Sequence, residues 1–167
     1  MASRVVPEVG EVLVFGSEGF ARVEAIGERE VLGKPATFLD LFVFDANMRV
    51  SVPFERALER GLRSLSSSDE MDTALENLSA SRWQSIPWNR DGRLVKDRYA
   101  EGDLEATIDV AGSLIEVAQV KRLNDAQRTL FERARRALVL ETASAFGIDE
   151  DAASERVSGA LGGRVPS

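Results

Sequence analysis

A switch of hydrophobic period near Pro53 predicts an α+β protein with a β half followed by a helical half. Before that residue, apolar side chains alternate over short runs broken by Gly, Pro, Asn and Asp. After it they recur every three to four residues, between clear capping residues. The 167 residues are enough for one good-sized domain or two small ones.

The β half reads as follows. "EVLVFG" is a short apolar strand ending in the turn Gly16 to Gly19. "FARVEAI" alternates, with Val23 and Ala25 on one face and Arg22 and Glu24 on the other. "LGKP" (Leu32 to Pro35) turns the chain, and "ATFLDLFVF" follows as a strand expected to be largely covered on both faces. After the turn "DANM", "MRVSVP" sets Met48, Val50 and Val52 against Arg49 and Ser51. Four or five short strands in so few residues predict a small antiparallel barrel of SH3 or Tudor type.

In the helical half, Pro53 suits the start of a short helix, "FERALERG", closed by Gly61. The serine-rich stretch Ser64 to Ser68 marks the boundary between a domain over residues 1–64 and another over 65–161. "LSSSDEMDTALENLSA" carries a capping box, Ser67 with Glu70, and a face of Met71, Leu75 and Leu78. "EGDLEATIDVAGSLIEVAQVKRL" starts at an Asp103 cap and lines up Leu104, Ile108, Ala111, Ile115 and Ala118. "NDAQRTLFERARRALVLETASAFG" pairs Asn124 with Gln127, buries Leu130, Ala134 and Leu138, and stops at Gly147. Asp149 caps a last short helix, and residues 162–167, "GGRVPS", read as a flexible tail.

Composition narrows function. No cysteine or histidine is present, so thiolate nucleophiles, a Ser-His-Asp relay and zinc sites of the usual N/S kind are excluded. "GSEGF" is too short for a phosphate loop and lacks its lysine. No enzyme activity, metal or cofactor is expected. Asp69, Glu70 and Asp72 are the nearest thing to a metal site, but acids belong at a helix N-terminus anyway. No apolar run is long enough to span a bilayer, and the start "MASRVVPEVGEV" lacks a signal-peptide core. These features predict a soluble, cytoplasmic protein. A net charge of −7 argues against coating nucleic acid by charge alone, though a local basic face remains open.

One segment departs from that acidic average. "SRWQSIPWNRDGRLVKDR" holds both tryptophans beside Arg82, Arg90, Arg93, Lys96 and Arg98. Either ring could plug the helical half, because tryptophan is mostly buried. For Trp88 a second reading exists. Pro87 fixes the backbone before it, Asn89 can cap a helix beginning there, and Arg90, Arg93 and Asp97 then share one face. A flat ring at a helix start beside guanidinium groups suits a wedge in a DNA minor groove.

The order and spacing of these segments resemble the CarD/CdnL family of bacterial RNA polymerase-binding transcription regulators, whose first domain is shared with transcription-repair coupling factors. The likeness runs from "VGEVLVFGSEGFARVEAI" through "LGKP", "MRVSVP" and "GLRSL" to "WNRDGRLVKDRYAEGD" and "LNDAQRTLFERARRAL". It implies a Tudor-like domain that docks on the RNA polymerase β subunit, and a helical domain at promoter DNA. There a tryptophan would enter the minor groove at the upstream edge of the bubble and stabilise the open complex. On this sequence the tryptophan falls on Trp88 and the basic DNA contacts on Arg90, Arg93 and Arg128. The polymerase-docking positions fall on Arg29 and on Arg49 or Ser51, which alternation puts on one outward face. The implied protein is a nucleoid-associated monomer. The competing expectation is a protein–protein adaptor, in which the barrel and the helical domain both dock on proteins and neither touches DNA.

Overall fold

The computed structural model describes residues 5–164, and they divide into two compact units. One comprises the chain up to Leu65 together with Ala100–Asp103, and the other comprises Ser66–Tyr99 and the chain from Leu104 on.

The first unit is a five-stranded antiparallel sheet in the order β4-β3-β2-β1-β5. Its strands are β1 (Val12–Phe15), β2 (Phe20–Val31), β3 (Lys34–Val43), β4 (Met48–Pro53) and β5 (Leu62–Arg63), with a short helix α1 (Phe54–Glu59) between the last two. The α+β class holds, but the sheet is open where a closed barrel was expected. Closure would need β4 to pair with β5. The chain instead leaves β4 at Pro53, which has no N–H to donate, and β5 is two residues long with its pairing spent on Val14 and Phe15. Leu13, Phe15, Ala21, Val23, Leu39, Leu41, Val43 and Val52 form the core beneath one face.

β3 also differs from expectation. Leu39, Leu41 and Val43 are buried, whereas Phe38, Asp40 and Phe42 on the opposite face are only partly covered. Arginine guanidinium groups lie on those rings in place of a second packed layer.

The second unit is helical: α2 (Ser68–Ser79), α3 (Arg93–Ala100), α4 (Leu104–Val120), α5 (Asp125–Phe146) and α6 (Glu150–Leu161). Its boundaries follow local chemistry. Ser67 with Glu70 and Asn124 with Gln127 close full capping boxes, and the Asp149 side chain accepts from Ala152 N–H at 2.8 Å. Gly147 and Gly162 end α5 and α6 in the left-handed conformation. α4 is the central element, with every residue from Ala106 to Ile115 buried. Met71, Leu75 and Leu78 of α2, Leu130, Ala134 and Leu138 of α5, and Val157 and Leu161 of α6 belong to the same core.

Of the expected tail, residues 165–167 lie outside the described residues. Arg164 is anchored: its guanidinium donates to the carbonyl oxygens of Leu161, Leu78 and Ala160 and to Ser81 Oγ.

Candidate nucleic-acid and polymerase-docking sites

The basic tryptophan segment is held in place by α4. A largely apolar helix puts Asp109, Ser113 and Glu116 on one stripe at i, i+4 and i+7. Each takes a donor from the extended segment 83–86. Asp109 Oδ1 accepts from Gln84 N–H (2.8 Å), Ser113 Oγ from Ile86 N–H (2.9 Å), and Glu116 from both Trp83 Nε1 (2.7 Å) and Ser85 Oγ (2.5 Å). The second carboxylate oxygen of Asp109 receives Arg98 of α3, at 2.9 and 3.2 Å. Asp109 is nearly sealed from water and Ser113 likewise, so these bonds satisfy groups that would be costly to bury alone. Sequence reading gave these residues no role. The signal was present as three polar side chains on one face of an apolar helix.

Trp83 lies at the start of this ladder. Its ring packs on Gly112, where a Cβ would overlap the indole, and Arg164 stands over it, 5.8 Å from the ring centroid. The Trp83 ring therefore plugs the helical unit.

Trp88 follows five residues later, beyond Pro87. Its ring is half-buried and packs in part on the helical core. Among the described residues its Nε1–H has no hydrogen-bond partner, and the Lys96 ammonium stands 6.0 Å from its centroid. The helix expected from Asn89 begins later. Arg90–Gly92 form a separate 3-10 turn with Asp91 at φ 58°, and α3 starts at Arg93. The left-handed Asp91 breaks the helical path, so Arg90 is not on the α3 face that carries Arg93 and Asp97. Asn89 makes no side-chain cap of the turn that follows it; its Oδ1 instead accepts from Leu94 N–H in the first turn of α3, at 3.2 Å.

The structure leaves Arg90 exposed, and among the described residues it has no ion pair. Arg93 is exposed and stands 3.8 Å from Asp97, an ion pair too solvated to restrain it. Lys96, which was not singled out as a contact in the sequence, belongs to the same exposed group. Arg128 stands apart in the first turn of α5. Its contacts are local, to Asp125 (3.6 Å) and the Leu123 carbonyl (3.3 Å), and it borders a groove also lined by Arg135, Glu150 and Asp151.

On the sheet unit, register gathers the other expected positions on one face. Arg29 pairs across from Ala36, Arg49 from Phe42 and Ser51 from Asp40. Directly paired residues share a face, so Arg29, Arg49 and Ser51 stand with Phe38, Asp40 and Phe42 on the outward side. A shift in register between Val23 and Ala25 accommodates Glu24. Arg49 Nε donates to Glu24 at 2.8 Å and Arg22 does so at 3.2 Å, while both guanidinium groups reach the Phe42 ring. The hydrogen bond from Arg49, then that from Arg22, holds the Glu24 carboxyl below the usual carboxylate range. Arg29 lies 5.0 Å from the Phe38 centroid and 3.7 Å from Asp40.

With this geometry established, comparison with known proteins is decisive. Residues 74–158 match the model of the CarD C-terminal domain. The chain belongs to the CarD family. Over 86% of its length it is also 21% identical to the candidate transcription factor YdeB of Bacillus subtilis (strain 168), covering 94% of that protein. The matched segment contains Trp88, Arg90, Arg93, Arg128 and the whole α4 ladder. Among the described residues, no helix is long and apolar enough to cross a membrane, and no group of three or more acidic side chains is placed to hold a metal.

Proposed function

We propose that this CarD-family chain is a transcription regulator that docks on the β subunit of bacterial RNA polymerase and stabilises the promoter open complex with Trp88. The observation that carries the reading is the state of Trp88. It is a half-buried ring whose N–H has no partner among the described residues, held behind Pro87 and flanked by the exposed cations Arg90, Arg93 and Lys96. An apolar ring inserted at a base step, with cations on neighbouring phosphates, is the chemistry of minor-groove wedging. Arg128 adds a cation at the start of α5.

The outward face of the sheet unit supplies the docking surface, with Arg29, Arg49 and Ser51 beside exposed aromatic edges. Arginine and aromatic side chains together are the composition of energetic centres in protein interfaces. Tethering reconciles the two activities with a net charge of −7. A module bound to polymerase meets promoter DNA at high effective concentration, so its own DNA affinity can be low. The wedge acts by binding opened DNA better than closed DNA, and shifts the population only by that difference.

The test is titration of fork-junction promoter DNA with the protein in the presence and absence of polymerase. The expected result is weak binding alone and a marked gain with polymerase, abolished by Arg49→Glu. No contribution to DNA binding in either condition would leave only the adaptor reading, and equal binding in both would overturn the tethering.

A further inference from the structure

We propose that Gly92 is the seat of the Trp88 ring, a positioning residue that fixes the indole in the pose it presents to DNA. This rests on the reading of Trp88 as the ring that meets DNA.

The left-handed turn brings Gly92 beneath the tryptophan. Asp91 has φ 58° and Gly92 φ 69°, and the turn is fastened at both ends to Asn89, whose carbonyl accepts from Gly92 N–H at 2.8 Å and whose side chain accepts from Leu94 N–H. Asp91 adopts a conformation that side-chain-bearing residues disfavour, so the surrounding bonds impose it. The result is a buried Cα with no side chain directly against the six-membered half of the indole. A Cβ built on Gly92 would overlap Cη2 and Cζ2 of Trp88 and stand 2.7 Å from Cε2. All three atoms belong to the ring itself, so relief requires the indole to move as a whole.

Pre-positioning has a functional consequence. A ring free to choose among rotamers loses that freedom when it binds, which weakens binding, whereas a ring already seated does not. Gly92 thereby contributes to the lifetime of the open complex without touching DNA.

The full chain labelled with 5-fluorotryptophan gives two 19F resonances, assigned with Trp88→Phe. Gly92→Ala is expected to shift the Trp88 resonance and leave that of Trp83, which sits on Gly112. Asp91→Gly, which keeps the bare Cα at 92, leaves both in place. The loss of Tm caused by Gly92→Ala is expected to shrink in a Trp88→Ala background, because the ring it displaces is gone. Should Gly92→Ala alone not fold, Trp88→Ala is expected to restore folding. An unmoved Trp88 resonance, or an equal Tm loss in both backgrounds, would overturn the seat and leave backbone strain as the only role of Gly92. The promoter assay separates the two proposals. A shifted resonance with open-complex lifetimes unchanged by both Gly92→Ala and Trp88→Ala would keep the seat and reject the DNA contact.

Discussion

Trp83 and Trp88 are five residues apart, both half-buried, both packed on the helical core and both resting on a glycine. Burial does not distinguish them, but polar accounting does. Trp83 gives its N–H to a carboxylate on α4 and is overlaid by Arg164, so it is complete within the fold. Trp88 has no hydrogen-bond partner for its N–H among the described residues and has the Lys96 ammonium 6.0 Å from its ring centroid. A buried indole normally finds a partner for its N–H. The Trp88 N–H is instead on the solvent side, where a ligand can reach it.

That contrast can be broken by mutation. Trp83→Ala is expected to have the largest effect on folding, about 4 kcal/mol, since it removes a large ring packed on the core and leaves Glu116 with Ser85 as its remaining partner in the segment. Trp88→Ala is expected to cost only about 1 kcal/mol, because a partly exposed ring gives up apolar contact and no hydrogen bond to a carboxylate. Urea unfolding followed by circular dichroism measures both, and equal losses would erase the distinction.

Asp109→Ala comes next, at about 3 kcal/mol, because it removes a buried carboxylate that accepts from both Arg98 and the Gln84 N–H. It loosens the ladder shared by both tryptophans, so the same unfolding assay should be accompanied by increased acrylamide quenching of their fluorescence. Glu116→Gln is milder, about 1 kcal/mol, since an amide oxygen still accepts from Trp83 but without charge. Its effect should be confined to Trp83.

The smallest effect concerns the sheet face. The Glu24 carboxyl titrates below its ordinary value because Arg49 and Arg22 hold its charged form. The stabilisation is therefore complete above the ordinary carboxylate pKa and is lost as pH falls through the folded value. NMR titration of the Glu24 side chain should show the depressed value, and Arg49→Ala should raise it more than Arg22→Ala does.

Much of this was legible because helix ends are local chemistry. Ser67 with Glu70, Asn124 with Gln127, and Asp149 mark their helices within four residues, so no tertiary knowledge is needed. The open sheet was not legible. Whether β4 meets β5 depends on where α1 and a two-residue strand are placed, and neither carries a period. The start of α3 was misplaced for a related reason. A helical pattern continues through Arg90 and Arg93 in the sequence, but Asp91 takes a left-handed conformation held by the bonds that Gly92 and Leu94 N–H donate to Asn89. The alternation of "MRVSVP", by contrast, correctly put Arg49 and Ser51 on one face, because register with β3 preserves parity.

The most direct test of the Trp88 reading is the lifetime of a promoter open complex after competitor challenge, with wild-type protein and with Trp88→Ala bound equally to polymerase. A shorter lifetime with the variant, about tenfold if the ring contributes about 1.4 kcal/mol to the opened state, is the predicted result. Identical lifetimes at equal occupancy would contradict it.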